Sequence, residues 1–294
     1  MTTAHAPRRT VTAPEGKYGP TILMEYDTPA QLARHAAQGP QCRRRLEGGD
    51  GRFHGPGATL ARTVDRACNG WPEAVEAARA LLDKYALTAD TLDTGRVELD
   101  QAGAYPCVPS MLAGDPEHMW TRAEHLSATG PVKIYVNLAS SAGISAEILQ
   151  RRGGIVAALA WLVSAHRPVE LIAMTTLDGT HDGRNGGVIV TVPLPTAPLD
   201  IGIVAAVLSD PAFARGLMYG VCWDHAEYRG GWPAGYDAPA PGQPEYSAHV
   251  RDVLALAPDD VYLPAPYIAD PSVKDPDAWI RARLGALLAT TQGD

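Results

Sequence analysis

The sequence predicts an α/β fold, a sheet layered between helices over residues 95–294, with a mainly helical region at 20–94 packed against it. Three observations carry this. Residues 132–137 (VKIYVN) are a β-branched and aromatic run that reads as a strand. A long apolar helix follows, and residues 169–174 (VELIAM) read as a second strand. Strand, long helix and strand in that order make a crossover, so the two strands should run parallel with a right-handed connection.

Composition bounds the rest. Hydrophobic residues are 46% and charged residues 20% of 294, which suits a globular domain with a core of its own. The 29 glycines and 25 prolines predict many turns. A net charge of −8 excludes a domain-wide basic surface for nucleic acid. Cys42, Cys68, Cys107 and Cys222 form no CxxC pair and exclude a disulfide-dense scaffold. Residues 1–19 read as a flexible basic tail carrying Arg8 and Arg9, without the apolar stretch of a secretory signal. The longest apolar run, 155–163, is too short to span a bilayer. The expected setting is cytoplasmic, with no membrane partner.

In order along the chain, residues 21–26 read as a strand. Thr28-Pro29 opens a helix that stops near Gly39, with Thr28 as its N-cap and proline in its first turn. Arg43, Arg44 and Arg45 then read as a solvated turn. Together with Arg8 and Arg9 they are the nucleic-acid contact the chain would offer. The glycine-rich stretch 46–57 lacks the GxxxxGK[ST] spacing of a phosphate cradle. Helices follow at 58–69 and from Pro72, the latter with Val75, Ala78, Leu81, Leu82 and Tyr85 as an apolar stripe. A strand is expected at 96–100, and Tyr105-Pro106 and Val108-Pro109 as extended pairs.

Ser145 is expected to cap the crossover helix, with Ile148, Ile155, Ala158, Leu159 and Leu162 facing inward. Gly153-Gly154 in that helix suggests a close crossing over the sheet. Residues 177–187 read as a polar loop and 188–194 as a third strand. Helices are expected at 200–208, 211–222 and 248–256, and Asp224 reads as a C-terminal capping feature. The long Pro/Gly-rich loop 229–247 carries Trp232, Tyr236 and Tyr246, aromatics of the kind that anchor interfaces. A strand at 260–264 and a helix at 277–290, with Trp279 and Ile280 on its buried face, complete the chain.

Ligands of open α/β sheets bind at the carboxyl ends of parallel strands. That edge carries Asn137, Ser140 and Ser141 after the first strand, and Thr175 and Asp178 after the second. Asn137, Ser141 and Asp178 are expected to converge there. Oxygen donors of this kind would suit Mg²⁺, but residues of these types at a strand-to-helix turn more often cap the turn and the helix, and no cofactor or bound metal is expected. The turn lacks the GxSxG of a nucleophile elbow, and no catalytic residue is assigned.

With those residues in view, 132–177 resembles the start of a von Willebrand factor A-like domain, a Rossmann-like, three-layer fold. The resemblance implies a metal-ion-dependent adhesion site of pattern Asp-x-Ser-x-Ser. Its ligand positions fall on Asn137, Ala139 and Ser141, and the first two depart from the pattern, implying a degenerate site. From about residue 52 the chain also resembles a family of uncharacterised proteins of actinobacterial phages and mobile elements. That resemblance rests on Gly70-Trp71-Pro72-Glu73, Ala104-Tyr105 to Val108-Pro109, Gly114-Asp115-Pro116-Glu117 with Met119, Arg152-Gly153 to Leu162, and Leu199-Asp200 to Ala214-Arg215. It implies a phage setting, in host cytoplasm or virion, and no known activity. The expected function is a non-enzymatic binding or assembly protein acting through a protein partner or self-association. The alternative is a metal-dependent enzyme on phosphate esters or nucleic acid, disfavoured because such chemistry needs several converging carboxylates.

Overall fold

A computed structural model describes residues 6–12, 18–48, 51–92, 97–102, 105–122, 131–140, 142–164, 168–181, 184–224, 244–258, 260–266 and 270–289. Six strands form a mixed sheet: β1 (Arg8–Thr12), β2 (Tyr18–Glu25), β6 (Val132–Asn137), β7 (Val169–His181), β8 (Arg184–Pro193) and β9 (Val261–Leu263). Their spatial order is β1-β2-β8-β7-β6-β9. A second, three-stranded sheet has β5 (Met119–Arg122) between β3 (Val97–Asp100) and β4 (Tyr105–Pro106).

The crossover is present. β6 and β7 pair in parallel from Val132↔Val169 to Asn137↔Met174, joined through helix α7 (Ala146–Ser164). Side chains alternate across the sheet. Ile134, Val136, Leu171, Ala173, Leu177, Val188 and Val190 face one large core. Against that face pack α7, α1 (Pro29–Gln38), α4 (Leu60–Asn69), α8 (Ile201–Ser209) and α9 (Tyr219–Asp224). Met174, Ile189 and Tyr262 face the other side, where Val250 of α10 (Pro244–Val253) covers them. Helices on both faces make the α/β layering. Helix α5 (Pro72–Leu92) lies outside α7 and α8.

Several sequence expectations are corrected. Arg8–Thr12, inside the expected tail, pairs antiparallel with β2 as an edge strand. Strand β2 in turn pairs with β8, so the N-terminal part supplies two strands of the main sheet as well as helices. The expected loop 177–187 is a hairpin: β7 runs on to His181 and returns as antiparallel β8. Arg43–Arg45 lie not on a turn but in helix α2 (Pro40–Glu47). Asp224 caps that helix rather than its own, its Oδ1 accepting the Gln41 N–H at 3.4 Å. The stretch after α2 contains one helical turn, α3 (Gly51–His54). Val108-Pro109 is not extended but opens helix α6 (Val108–Leu112), with proline in the first turn. Ile148 is exposed rather than inward.

The Thr28 cap forms as expected, its side chain accepting the Gln31 N–H at 3.1 Å, and Ser145 likewise accepts from Ile148. Gly153 marks a close crossing, but against a helix: a Cβ there would lie 2.0 Å from the Leu208 carbonyl oxygen at the end of α8. The expected helix 211–222 contains a wide π-helical segment, Phe213–Met218, before α9. Loop residues 229–243 lie outside the described residues, and the chain is helical again from 244.

Candidate functional site at the carboxyl end of the sheet

Strand β6 sits between β7 and β9, so its last residue, Asn137, is enclosed on both sides and fully buried. Its Nδ2 donates to Thr176 Oγ1 and to the Tyr262 hydroxyl, both at 3.1 Å. Its Oδ1 accepts the Ala139 N–H at 3.0 Å. One amide therefore ties three strands together and shapes the turn behind β6.

On the helix-covered side, Ser140 is also fully buried. Its Oγ accepts from Arg215 Nε at 3.1 Å. Arg215 comes from the π-helical segment and is itself 1% exposed. It donates to the carbonyls of Ile144 and Phe53, each at 2.8 Å, and its guanidinium stacks 4.2 Å from the Phe53 ring centroid. One side chain thus joins α3, the turn after β6 and the π-helical segment. The planar fork suits the task, because several acceptors lie around one plane. A π turn often marks a position selected for its geometry, and here it carries the arginine.

Thr175 is fully buried, and its Oγ1 has no hydrogen-bond partner. By strand alternation it lies on the same face as Ala173 and Leu177, toward the large core. Asp178 is not brought beside Asn137. It pairs with Gly187, four residues beyond the Asn137↔Met174 level, or about 13 Å along the strand at about 3.3 Å per residue. Ser141, Trp232 and Tyr236 lie outside the described residues. Tyr246 falls in α10.

Two other buried charges fix the neighbourhood. Arg152 of α7 donates to Ser272 Oγ at 3.2 Å and to the Pro264 carbonyl at 3.0 Å, clamping the helix to the chain beyond β9. Burial pulls its guanidinium down to about 10, opposed by nearby Asp270. Arg66 of α4 meets Asp210 at 2.8 Å and lies 3.6 Å from the Trp71 ring centroid. Burial raises the Asp210 carboxyl, with the hydrogen bond and charge of Arg66 working the other way.

Two of the four cysteines, Cys42 and Cys222, are buried. Burial pushes Cys42 up to about 12 and Cys222 higher still, so neither supplies a thiolate near neutrality. Of the basic residues, Arg8 reaches Glu25 at 3.8 Å and Arg43 reaches Glu47 at 3.9 Å, while Arg45 lies over the rings of Tyr219 and Trp223. They do not form one basic face, being split between the β1 edge and α2.

Arg215 and Arg152 are the residues that sequence reading passed over. The available signal was an arginine inside an otherwise apolar helical run, FARGLMYGVC or RRGGIVAALA. A buried guanidinium needs several acceptors, and those come from distant segments.

Among the described residues, no group of three or more His, Cys, Asp and Glu side chains is placed to hold a metal ion. No single helix among them is long and apolar enough to cross a membrane. No curated protein and no solved structure matches the chain significantly. A family model described as a domain of unknown function, DUF7192, matches residues 8–287, and the chain belongs to that family.

Proposed function

We propose that this is a non-enzymatic binding or assembly protein that works through protein–protein contacts. The observation that carries the reading is helix α6, which turns Val108, Met111 and Leu112 to solvent, Leu112 at 79% exposure. Large apolar side chains grouped on one short helix mark an interaction surface more often than scattered ones do. The polar sheet edge supports the same reading from the other side. Asn137 and Ser140 are consumed by internal hydrogen bonds, and a catalytic edge would present such groups to a substrate.

A von Willebrand A-like core fits this reading as a scaffold whose metal site is degenerate. The residues present do not suit a divalent cation. Asn137 is neutral and its carbonyl oxygen is occupied, Ala139 has no donor atom, and the Arg215 charge sits on the same turn. The setting that goes with it is a phage or mobile-element protein in host cytoplasm or virion.

The test is a comparison of the wild-type chain with Leu112→Asp. Both are immobilised against host and phage lysates, and both are run alone at rising concentration. Loss of a specific partner, or of self-association, in a variant with unchanged melting temperature supports the reading. Identical behaviour of the two proteins overturns it. Turnover of a phosphate ester or nucleic acid that depends on added Mg²⁺ would establish the enzymatic alternative instead.

A further inference from the structure

Positive charge is concentrated in one stretch of this acidic chain. Residues 29–69 hold seven arginines and no lysine against three carboxylates, while the whole chain carries −8. The fold gathers that stretch into one layer. Helices α1, α2 and α4 pack against one another and set Leu32, Ala36, Cys42, Leu46 and Ala67 into the large core. With 3.6 residues per turn, Arg34 lies across α1 from Leu32 and Ala36, and Arg44 lies across α2 from Cys42 and Leu46. Arg62 is exposed on α4, whose buried residues are Thr63 and Ala67.

Among the described residues, Arg34, Arg44 and Arg62 take part in no ion pair. The carboxylates described on these helices are engaged elsewhere. Glu47 meets Arg43 at 3.9 Å, and Asp65 Oδ1 accepts from Asn69 Nδ2 at 2.7 Å. The outer face of the layer therefore presents three guanidinium groups whose charge no neighbouring carboxylate neutralises. Arg8 and Arg9 belong to the β1 edge and take no part.

The rest of the face says which anion it suits. The large hydrophobic side chains exposed among the described residues are Val11, Val108, Met111, Leu112, Ile148 and Trp161, none of them within 29–69. A protein interface sets an apolar centre inside its polar rim, and a helix lying on a membrane inserts apolar side chains. This face offers charge without either. A phosphate backbone is the partner that asks for charge alone, and the planar guanidinium fork matches phosphate oxygens in pairs. Unstacked bases need aromatic platforms, and Phe53, the aromatic ring among the described residues of 29–69, is half-buried under Arg215. A duplex, with its bases stacked inside, makes no such demand.

We propose that the outer face of α1, α2 and α4 binds the phosphate backbone of a nucleic-acid duplex without reading its sequence. The elements differ from α6, so the inference is independent of the protein-binding reading and adds a second kind of partner. Three phosphate contacts release about three counterions, so affinity should fall about 40-fold between 50 and 200 mM salt.

The experiment is fluorescence anisotropy of a labelled 20-base-pair duplex of mixed sequence, as DNA and as RNA, titrated with the full chain. The variants are the triple Arg34→Gln, Arg44→Gln, Arg62→Gln and a control of equal net charge, Arg79→Gln, Arg281→Gln, Arg283→Gln. All six positions are exposed, and circular dichroism confirms that each variant is folded. The expected result is wild-type binding to at least one duplex at 50 mM salt with that salt dependence. The first variant should lose tenfold or more in affinity and most of the salt dependence, and the control should bind like wild type. A wild type that binds neither duplex at 50 mM salt overturns the proposal. So does a first variant that binds like wild type, or a control weakened as much as it is. Tighter binding of the corresponding single strand overturns the choice of a duplex. Binding to phosphatidylserine vesicles that needs the same three arginines, with no binding to either duplex, makes the face a membrane surface instead.

Discussion

Arg215 donates from Nε to Ser140 Oγ at 3.1 Å inside the core, between a π-helical turn and the turn that follows strand β6. The same guanidinium satisfies the Phe53 and Ile144 carbonyls. The serine that reads as a site residue is thus a receptor for a structural arginine.

Replacing Arg215 by methionine leaves those two carbonyls and the Ser140 hydroxyl to find other partners. Each abandoned buried acceptor costs about 1–3 kcal/mol, so with three of them the variant should lose about 3 kcal/mol or more. Arg215→Lys should recover little, because an ammonium cannot serve three separated acceptors from one plane. Ser140→Ala removes one partner only and should cost about 1–2 kcal/mol. Urea unfolding of the three variants checks this order; a lysine variant as stable as wild type would contradict it.

The divalent-cation question has a direct measurement. A specific ion raises stability by about 2.7 kcal/mol at a hundredfold excess over its dissociation constant. With Asn137 and Ser140 engaged and Arg215 on the turn, millimolar Mg²⁺ should leave the melting temperature where it was. A clear rise with Mg²⁺ that disappears in Ser141→Ala would show that the edge holds an ion after all.

Much of the core was legible because its signals are local. The VKIYVN run, the Thr28-Pro29 start and the Ser145 cap each act within a few residues, and each element forms where expected. What escaped depends on distant chain. The polar stretch from Leu177 to Gly187 carries Asp-Gly turn signals, yet it is held extended by pairing between β7 and β8 and by β2 alongside. Helix α2, rich in arginine, is capped by Asp224, 183 residues away. At the site, sequence placed Asn137 and Ser140 correctly at the strand end. It could not show that Tyr262 and Arg215 would use them up, since both partners arrive through the fold.

Arg66 and Asp210 give a prediction with a pH signature. The pair is nearly buried, with Asp210 also accepting the Ala212 N–H at 2.9 Å. Arg66→Met leaves a carboxylate in a dry site and should cost about 3–5 kcal/mol near neutrality. Burial already raises Asp210 in the presence of Arg66, and without it the carboxyl rises further. A raised carboxyl binds its proton more readily folded than unfolded, so the deficit of the variant should shrink as pH falls toward 4–5. A deficit that stays constant from pH 7 to pH 4.5 would mean that Asp210 remains ionised and has found another partner.

Acid should loosen the wild type for a different reason. His249 of α10 is buried against β2, with Nε2 hydrogen-bonded to Thr21 Oγ1 at 3.1 Å. His35 of α1 shares a 2.6 Å hydrogen bond between its Nδ1 and the Tyr26 hydroxyl. Burial lowers both imidazoles below 6.5, opposed by Asp252 near His249 and by Asp224 near His35. Below about pH 6.5 the unfolded chain therefore takes up protons that the folded chain resists, so stability falls as pH falls. Above that pH both forms of each histidine are neutral, and this contribution vanishes. His249→Gln keeps a polar group facing Thr21 without a titrating proton. It should lower stability modestly at pH 8 while flattening the decline between pH 6.5 and pH 5. Hydrogen exchange in α10 should sharpen the assignment, since that helix covers its face of the sheet through Val250 and its neighbours. Acid-enhanced exchange in α10 that persists unchanged in His249→Gln would move the responsibility to another group.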